Sequence, residues 1–164
     1  MMKIKRYALL LMAAIMVGAL AACGTKDDSS SDKKSSDAGT DGKTYKVGIT
    51  QIVEHPSLNQ ATKGFKAALK DAGLKVEYQT EIAQGDQSVN TTAANNLASS
   101  GVDLIFANST PSAQAAAAAT SDIPIVFTSV TDAVGAELVK SMEKPGGNIT
   151  GTVDTHPEAI PNTV

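Results

Sequence analysis

Val102-Asp103-Leu104-Ile105-Phe106-Ala107 is an almost continuous apolar run, and it passes directly into Asn108-Ser109-Thr110-Pro111-Ser112. Such a run, apolar without alternation, is what a β-strand covered on both faces looks like. The polar turn after it reads as a cap at Thr110 and a first-turn proline at Pro111, opening a helix through the alanine-rich stretch to Ala119. A buried strand that leads at once into a helix is the repeating unit of a parallel α/β sheet.

The same alternation extends in both directions. Upstream, Lys46 to Ile52 is a short β-rich run, followed by Pro56-Ser57 and then Leu58, Ala61, Thr62, Phe65, Leu69 and Ala72. Those spacings place one apolar stripe on a helix that Gly73 ends. Lys75 to Ile82 alternates Val76, Tyr78 and Thr80 with charged or polar neighbours, as a strand does. Asp86 is placed to cap a helix carrying Val89, Ala93 and Leu97, closed by Gly101. Downstream, Pro124 to Thr128 is a fourth strand. Asp132 opens a short helix with Val134, Leu138 and Val139 inward, and Gly146-Gly147 turns into a fifth strand, Asn148 to Val153. Strict βαβα order predicts a doubly wound parallel sheet with helices on both sides. The five-alanine run Ala115 to Ala119 is read as close helix–sheet packing rather than low complexity.

The amino terminus has a different character. Lys3, Lys5 and Arg6 precede an apolar stretch from Tyr7 to Leu20, then the small residues Ala21 and Ala22, then Cys23, the single cysteine of the 164-residue chain. A basic flank, a short apolar core and small residues at the cut are the layout of a secretory signal over residues 1–22. Leu20-Ala21-Ala22-Cys23 resembles a bacterial lipobox, which makes Cys23 the expected lipidation site and the first residue of the mature chain. Gly24 to Thr44 has no large apolar residue, so residues 23–44 are expected to form an anchor and disordered linker. A flexible chain of that length spans about 25 Å, enough to hold a domain off lipid headgroups. A diacylated cysteine would hold it firmly. The globular part then comprises a lobe at residues 45–153 and, at 154–164, the start of a crossover.

Composition excludes several function classes. A net charge of −3 and a pI near 5.3 give no basic footprint for nucleic acid. Pro145-Gly146-Gly147 lacks the Lys-Ser/Thr of a phosphate loop, so no cofactor is implied. His55 beside Glu54 has no activated nucleophile with it, and Ser109 lies in no nucleophile elbow, so an enzyme is not expected. Asp154 and His156 are too few to define a metal site.

The expected site is at the carboxyl ends of the strands, where open parallel sheets bind ligands. Three loops end there: Gln51-Ile52-Val53-Glu54-His55, Asn108-Ser109-Thr110-Pro111-Ser112 and Ser129-Val130-Thr131-Asp132. Each is short, polar and feeds a predicted helix, whose first N–H groups and positive dipole end suit a carboxylate. Spacing alone also allows these Ser, Thr and Asp residues to be plain helix caps.

Four segments in order, VGITQIVEHPSLNQATKGFKAAL (47–69), NSTPSAQAAAAAT (108–120), IPIVFTSVTDAVGAELV (123–139) and EKPGGNITGT (143–152), together resemble the ABC-transporter substrate-binding proteins of the tryptophan/tyrosine-binding family. The resemblance implies the N-terminal lobe of a type I periplasmic-binding-protein fold, in which two α/β lobes close over a small ligand. It assigns ligand contacts to Gln51, Glu54, His55, Ser109, Thr110, Pro111, Ser112, Ser129, Val130, Thr131 and Asp132. It departs at Ala133, where the family commonly has proline, and in length, since a second lobe is needed. The expected function is a lipid-anchored extracytoplasmic receptor for ABC import, with a membrane permease as partner and an aromatic amino acid as ligand. A surface lipoprotein that presents a ligand to a signalling receptor is the alternative.

Overall fold

The computed structural model describes residues 42–154. Cys23, the signal and most of the linker, His156 and the rest of the crossover lie outside them. Five strands, β1 (Thr44–Gln51), β2 (Lys75–Ile82), β3 (Leu104–Asn108), β4 (Ile125–Val130) and β5 (Ile149–Val153), form one sheet in the order β2-β1-β3-β4-β5. Every neighbouring pair is parallel. β1 opens at Thr44, the last residue of the stretch read as linker. Just before it, the Lys43 ammonium is 3.3 Å from Asp103.

Three helices connect the strands: α1 (Pro56–Asp71), α2 (Gln87–Ser99) and α3 (Thr110–Ala119). The core is split by the sheet. On one face Val47, Ile49 and Phe106 pack with Phe65 of α1, whose ring stacks on Phe106 at 4.0 Å between centroids. On the other, Leu97 of α2 and Ala113 and Ala116 of α3 meet Ile105, Ala107, Ile125 and Phe127. The alanine run is therefore packing surface: Ala115 and Ala116 are buried, and their small side chains let α3 lie close on the sheet.

Three expectations are corrected. The inward stripe of α2 starts at Asn90 and continues through Ala93, Ala94 and Leu97, while Val89 is 45% exposed. The apolar spacing fits both registers locally, and the contact with α3 selects the one that buries Asn90. The cap of α3 is Ser109, one residue before Thr110; its Oγ accepts from the Ser112 N–H at 3.3 Å. The helix expected from Asp132 is only a run of turns. Asp132 Oδ1 does accept the N–H groups of Val134 and Gly135, at 3.1 and 2.9 Å. Glu137 then adopts φ +59°, which ends any helical path. Ala133, Leu138 and Val139 still reach the core, but Val134 is left 47% exposed.

The cap of α2 carries a pH signature. Asp86 Oδ1 accepts the backbone N–H of Ser88 at 2.7 Å and of Val89 at 3.0 Å, as well as the Ser88 hydroxyl. These bonds hold its carboxyl below the usual carboxylate range, the hydroxyl of Ser88 contributing most. A carboxyl lowered in the folded state adds stability above its unfolded value of about 3.9, and that contribution fades as pH falls through the folded value. Thermal melts of Asp86→Ala should therefore lie below wild type at pH 7 and converge on it below about pH 4. A gap that stays constant down to pH 3 would show that the charge has no part in the cap.

Candidate ligand-binding face

Chain order puts β2 and β3 on opposite sides of β1, so the direction of winding reverses between β1 and β3. At that point adjacent helices leave on opposite faces of the sheet and a crevice opens beyond the strand ends. Gln51 is paired with Asn108, and Asn108 with Thr128, so β1 and β3 end level and β4 runs two residues further, to Val130.

Gln51 and Asn108 build the floor. Gln51 is 3% exposed and Asn108 fully buried. Asn108 Nδ2 donates to Leu58 O at 2.7 Å, Thr62 Oγ1 at 2.9 Å and Gln51 Oε1 at 3.1 Å. Thr62 donates to the same Gln51 oxygen at 3.0 Å, while Gln51 Nε2 reaches Asn59 Oδ1 at 2.7 Å and Val53 O at 2.8 Å. Two strand ends are thereby fastened to the first turns of α1. Buried amides engaged on this scale are costly to disturb, so Gln51 shapes the face from beneath.

A second network fixes α3. The Ser109 hydroxyl is 3.1 Å from Ser112 Oγ, which donates to Asn90 Oδ1 at 3.3 Å, and Asn90 Nδ2 donates to Pro111 O at 3.0 Å. Asn90 and Ser112 are completely buried. Asn108, Ser109 and Ser112 thus cluster around one turn because each satisfies a different internal group. Asn90 was missed by sequence reasoning; a polar residue opening the apolar stripe of α2 was the available signal.

What remains on the outer side is a rim. Glu54, His55, Thr131 and Asp132 are exposed; Thr110, Pro111 and Ser129 are half-buried; Val130 is fully buried and belongs to the core. His55 caps α1, its Nδ1 lying 2.7 Å from Ser57 Oγ and 3.4 Å from the Ser57 N–H. Ser109 has φ +126° and Ser129 φ +55°. Both conformations are unfavourable for a residue with a Cβ, by about 1–3 kcal/mol, and both occur at strand ends on this face. Two helix N-termini, of α1 and α3, open here, together with the turn at Asp132 in place of the third helix expected. Hollows elsewhere on the surface, such as the one lined by Lys46, Glu77 and Val102, lie toward the opposite ends of the strands. Among the described residues no group of three or more His, Cys, Asp or Glu is placed to hold a metal.

An open parallel lobe with a polar rim at its switch point, held by internal networks, has the form of a binding module. The chain belongs to the ABC transporter substrate binding protein family, whose model matches residues 46–160. It is 46% identical over 162 residues to a tyrosine-binding protein of Clostridioides difficile (strain R20291), covering 94% of this chain and 46% of that protein. Its fold matches the ligand-free, open structure of a substrate-binding protein with adhesive properties from Clostridium difficile, with 49% identity and a TM-score of 0.67 over 68% of this chain and 39% of the other. It likewise matches a Streptococcus pneumonia ABC domain solved in complex with L-Trp, with 39% identity, a TM-score of 0.63 and coverage of 68% and 39%. The chain spans about half the length of the curated relative it matches. These relatives are substrate-binding proteins, not enzymes, and the fold is that of an α/β substrate-binding lobe.

Proposed function

We propose that this chain forms one wall of an interlobe cleft in a membrane-anchored, extracytoplasmic receptor, and that the receptor delivers an aromatic amino acid to an ABC permease. The observation that carries this reading is the in-register edge at Gln51, Asn108 and Thr128, from which two helix N-termini and the Asp132 turn emerge. The N–H groups at the helix starts suit a ligand carboxylate. Glu54 and Asp132 on the same rim suit an ammonium group, and half-buried Ile52 and Val53 give an aromatic ring an apolar surface. A tyrosine-binding relative and a neighbour holding L-Trp favour a zwitterion with a ring. The second wall would come from a lobe that this chain does not span. Cys23, with the lipobox-like sequence before it, would tether the receptor at the outer face of the membrane.

Calorimetry on a two-lobed version, extended to the length of the relatives, should detect binding of tyrosine, tryptophan or phenylalanine. Thr131→Ala, on the exposed rim, should weaken it about tenfold, a loss of roughly 1.4 kcal/mol. No heat with any of the three amino acids would remove the ligand assignment. Cys23→Ala should move the protein from the membrane fraction to the soluble one; an unchanged distribution would remove the anchor.

A further inference from the structure

β2 is the outermost strand on its side of the sheet, and it keeps one register with β1 over all eight of its residues. It contains no proline and no bulge, so its outer backbone groups run on without interruption, with Lys75, Glu77 and Glu81 as its charged side chains. A long regular edge of this kind is a template for another strand. The Ala83 N–H donates to Gln51 O at 2.9 Å. Backbone groups alternate along a strand, so the odd-numbered residues of β2 point at β1 and Val76, Tyr78, Thr80 and Ile82 point theirs outward.

We infer that this edge is a self-pairing surface, through which two copies of the chain join as antiparallel strands about a two-fold axis at Tyr78. Charge selects both the occupant and the register. With the axis at Tyr78, Lys75 of each copy stands opposite the partner's Glu81, on the face away from α1, and Val76 stands opposite Thr80. Moving the axis to Gln79 sets Glu77 against Glu81, and moving it to Glu77 sets that residue against itself. Directly opposed like charges destabilise a strand pair, and opposed unlike charges favour it. On the α1 face, the hollow beside β2 is floored by Leu74, Val76 and Tyr78 and rimmed by Lys63, Lys66 and Lys70. Self-pairing brings two such floors side by side at the seam. The Lys66 ammonium lies over the Tyr78 ring, 4.7 Å from its centroid, and the lysines oppose the pairing weakly because their flexible stems let the ammonium groups move out to solvent.

Sedimentation equilibrium over a range of concentrations tests this on the full chain. The wild type should dimerise reversibly. Lys75→Glu should weaken the dimer about tenfold by setting a carboxylate directly opposite Glu81 at both ends of the seam, and the double variant Lys75→Glu with Glu81→Lys should recover it. Thr80→Pro removes an outward N–H while leaving the β1 ladder whole, and should yield monomer. Circular dichroism reports whether each variant is folded, and if Thr80→Pro is not, the charge-swap pair decides alone. A wild type that is monomeric throughout, a dimer indifferent to Lys75→Glu, or a double variant no better than the single would each overturn the proposal.

Discussion

Asn108→Asp is expected to destabilise the lobe by about 3–5 kcal/mol, although it exchanges only an NH2 for an oxygen. The Asn108 amide nitrogen is the donor to Leu58 O, Thr62 Oγ1 and Gln51 Oε1, all within 3.1 Å. A carboxylate would set negative charge against a carbonyl and an amide oxygen, neither of which can donate. It would do so where no solvent reaches, since Asn108 is 0% exposed. The existing Oδ1 has no hydrogen-bond partner among the described residues, so the donor end of the amide is the part the site requires. Urea titration should show the loss. Because burial raises the folded pKa of the introduced carboxyl, the gap to wild type should narrow as pH falls toward 4. A cost below about 1 kcal/mol would mean that this network does not hold the ends of β1 and β3.

Gly151→Ala should cost about 3 kcal/mol and lower the melting temperature by roughly 10–20 °C. A Cβ at Gly151 would lie 2.1 Å from the Phe127 carbonyl oxygen and 2.6 Å from two atoms of its ring. Gly151 pairs with Phe127 in the β4–β5 ladder, and Phe127 is fully buried in the larger core cluster. Neither the ladder nor the ring can yield without opening the other. The register shift between Phe127 and Val130, next to Ser129 at φ +55°, gives β4 a twist that brings the two backbones this close. A melting temperature within 3 °C of wild type would show that β5 shifts to accept the methyl group.

The two substitutions mark how differently the sequence exposed its structure. Strand and helix positions were legible wherever burial imposes a period: β2 matches its expected span, and the apolar run around Leu104 to Ala107 became the centre of the sheet. The cap at Asp86 was equally readable, because it depends on residues two or three positions away; His55, which the sequence offered only as a loop or ligand residue, proved to be the cap of α1. The segment after β4 misled. Val134, Leu138 and Val139 have helical spacing, yet Glu137 at φ +59° and the pull of Leu138 and Val139 into the core replaced the helix with turns. The site was legible as a set of loops. Which side chains face outward was not, because Gln51 and Ser112 take partners 8 to 57 residues away, and Ser109 is held by Ser112.

By itself the sequence determined the order of the five strands and of the three helices between the first four, their parallel arrangement and the three loops at the carboxyl edge. Those features follow from local periodicity and from the short connections that a chain can make. Only the tertiary structure decided that Gln51 and Asn108 lock the floor, that Asn90 anchors α3, and that Glu54, His55, Thr131 and Asp132 form the exposed rim. Hydrogen bonds between residues distant in sequence select one side-chain direction from several that local geometry allows, and their geometry exists only once the sheet has assembled.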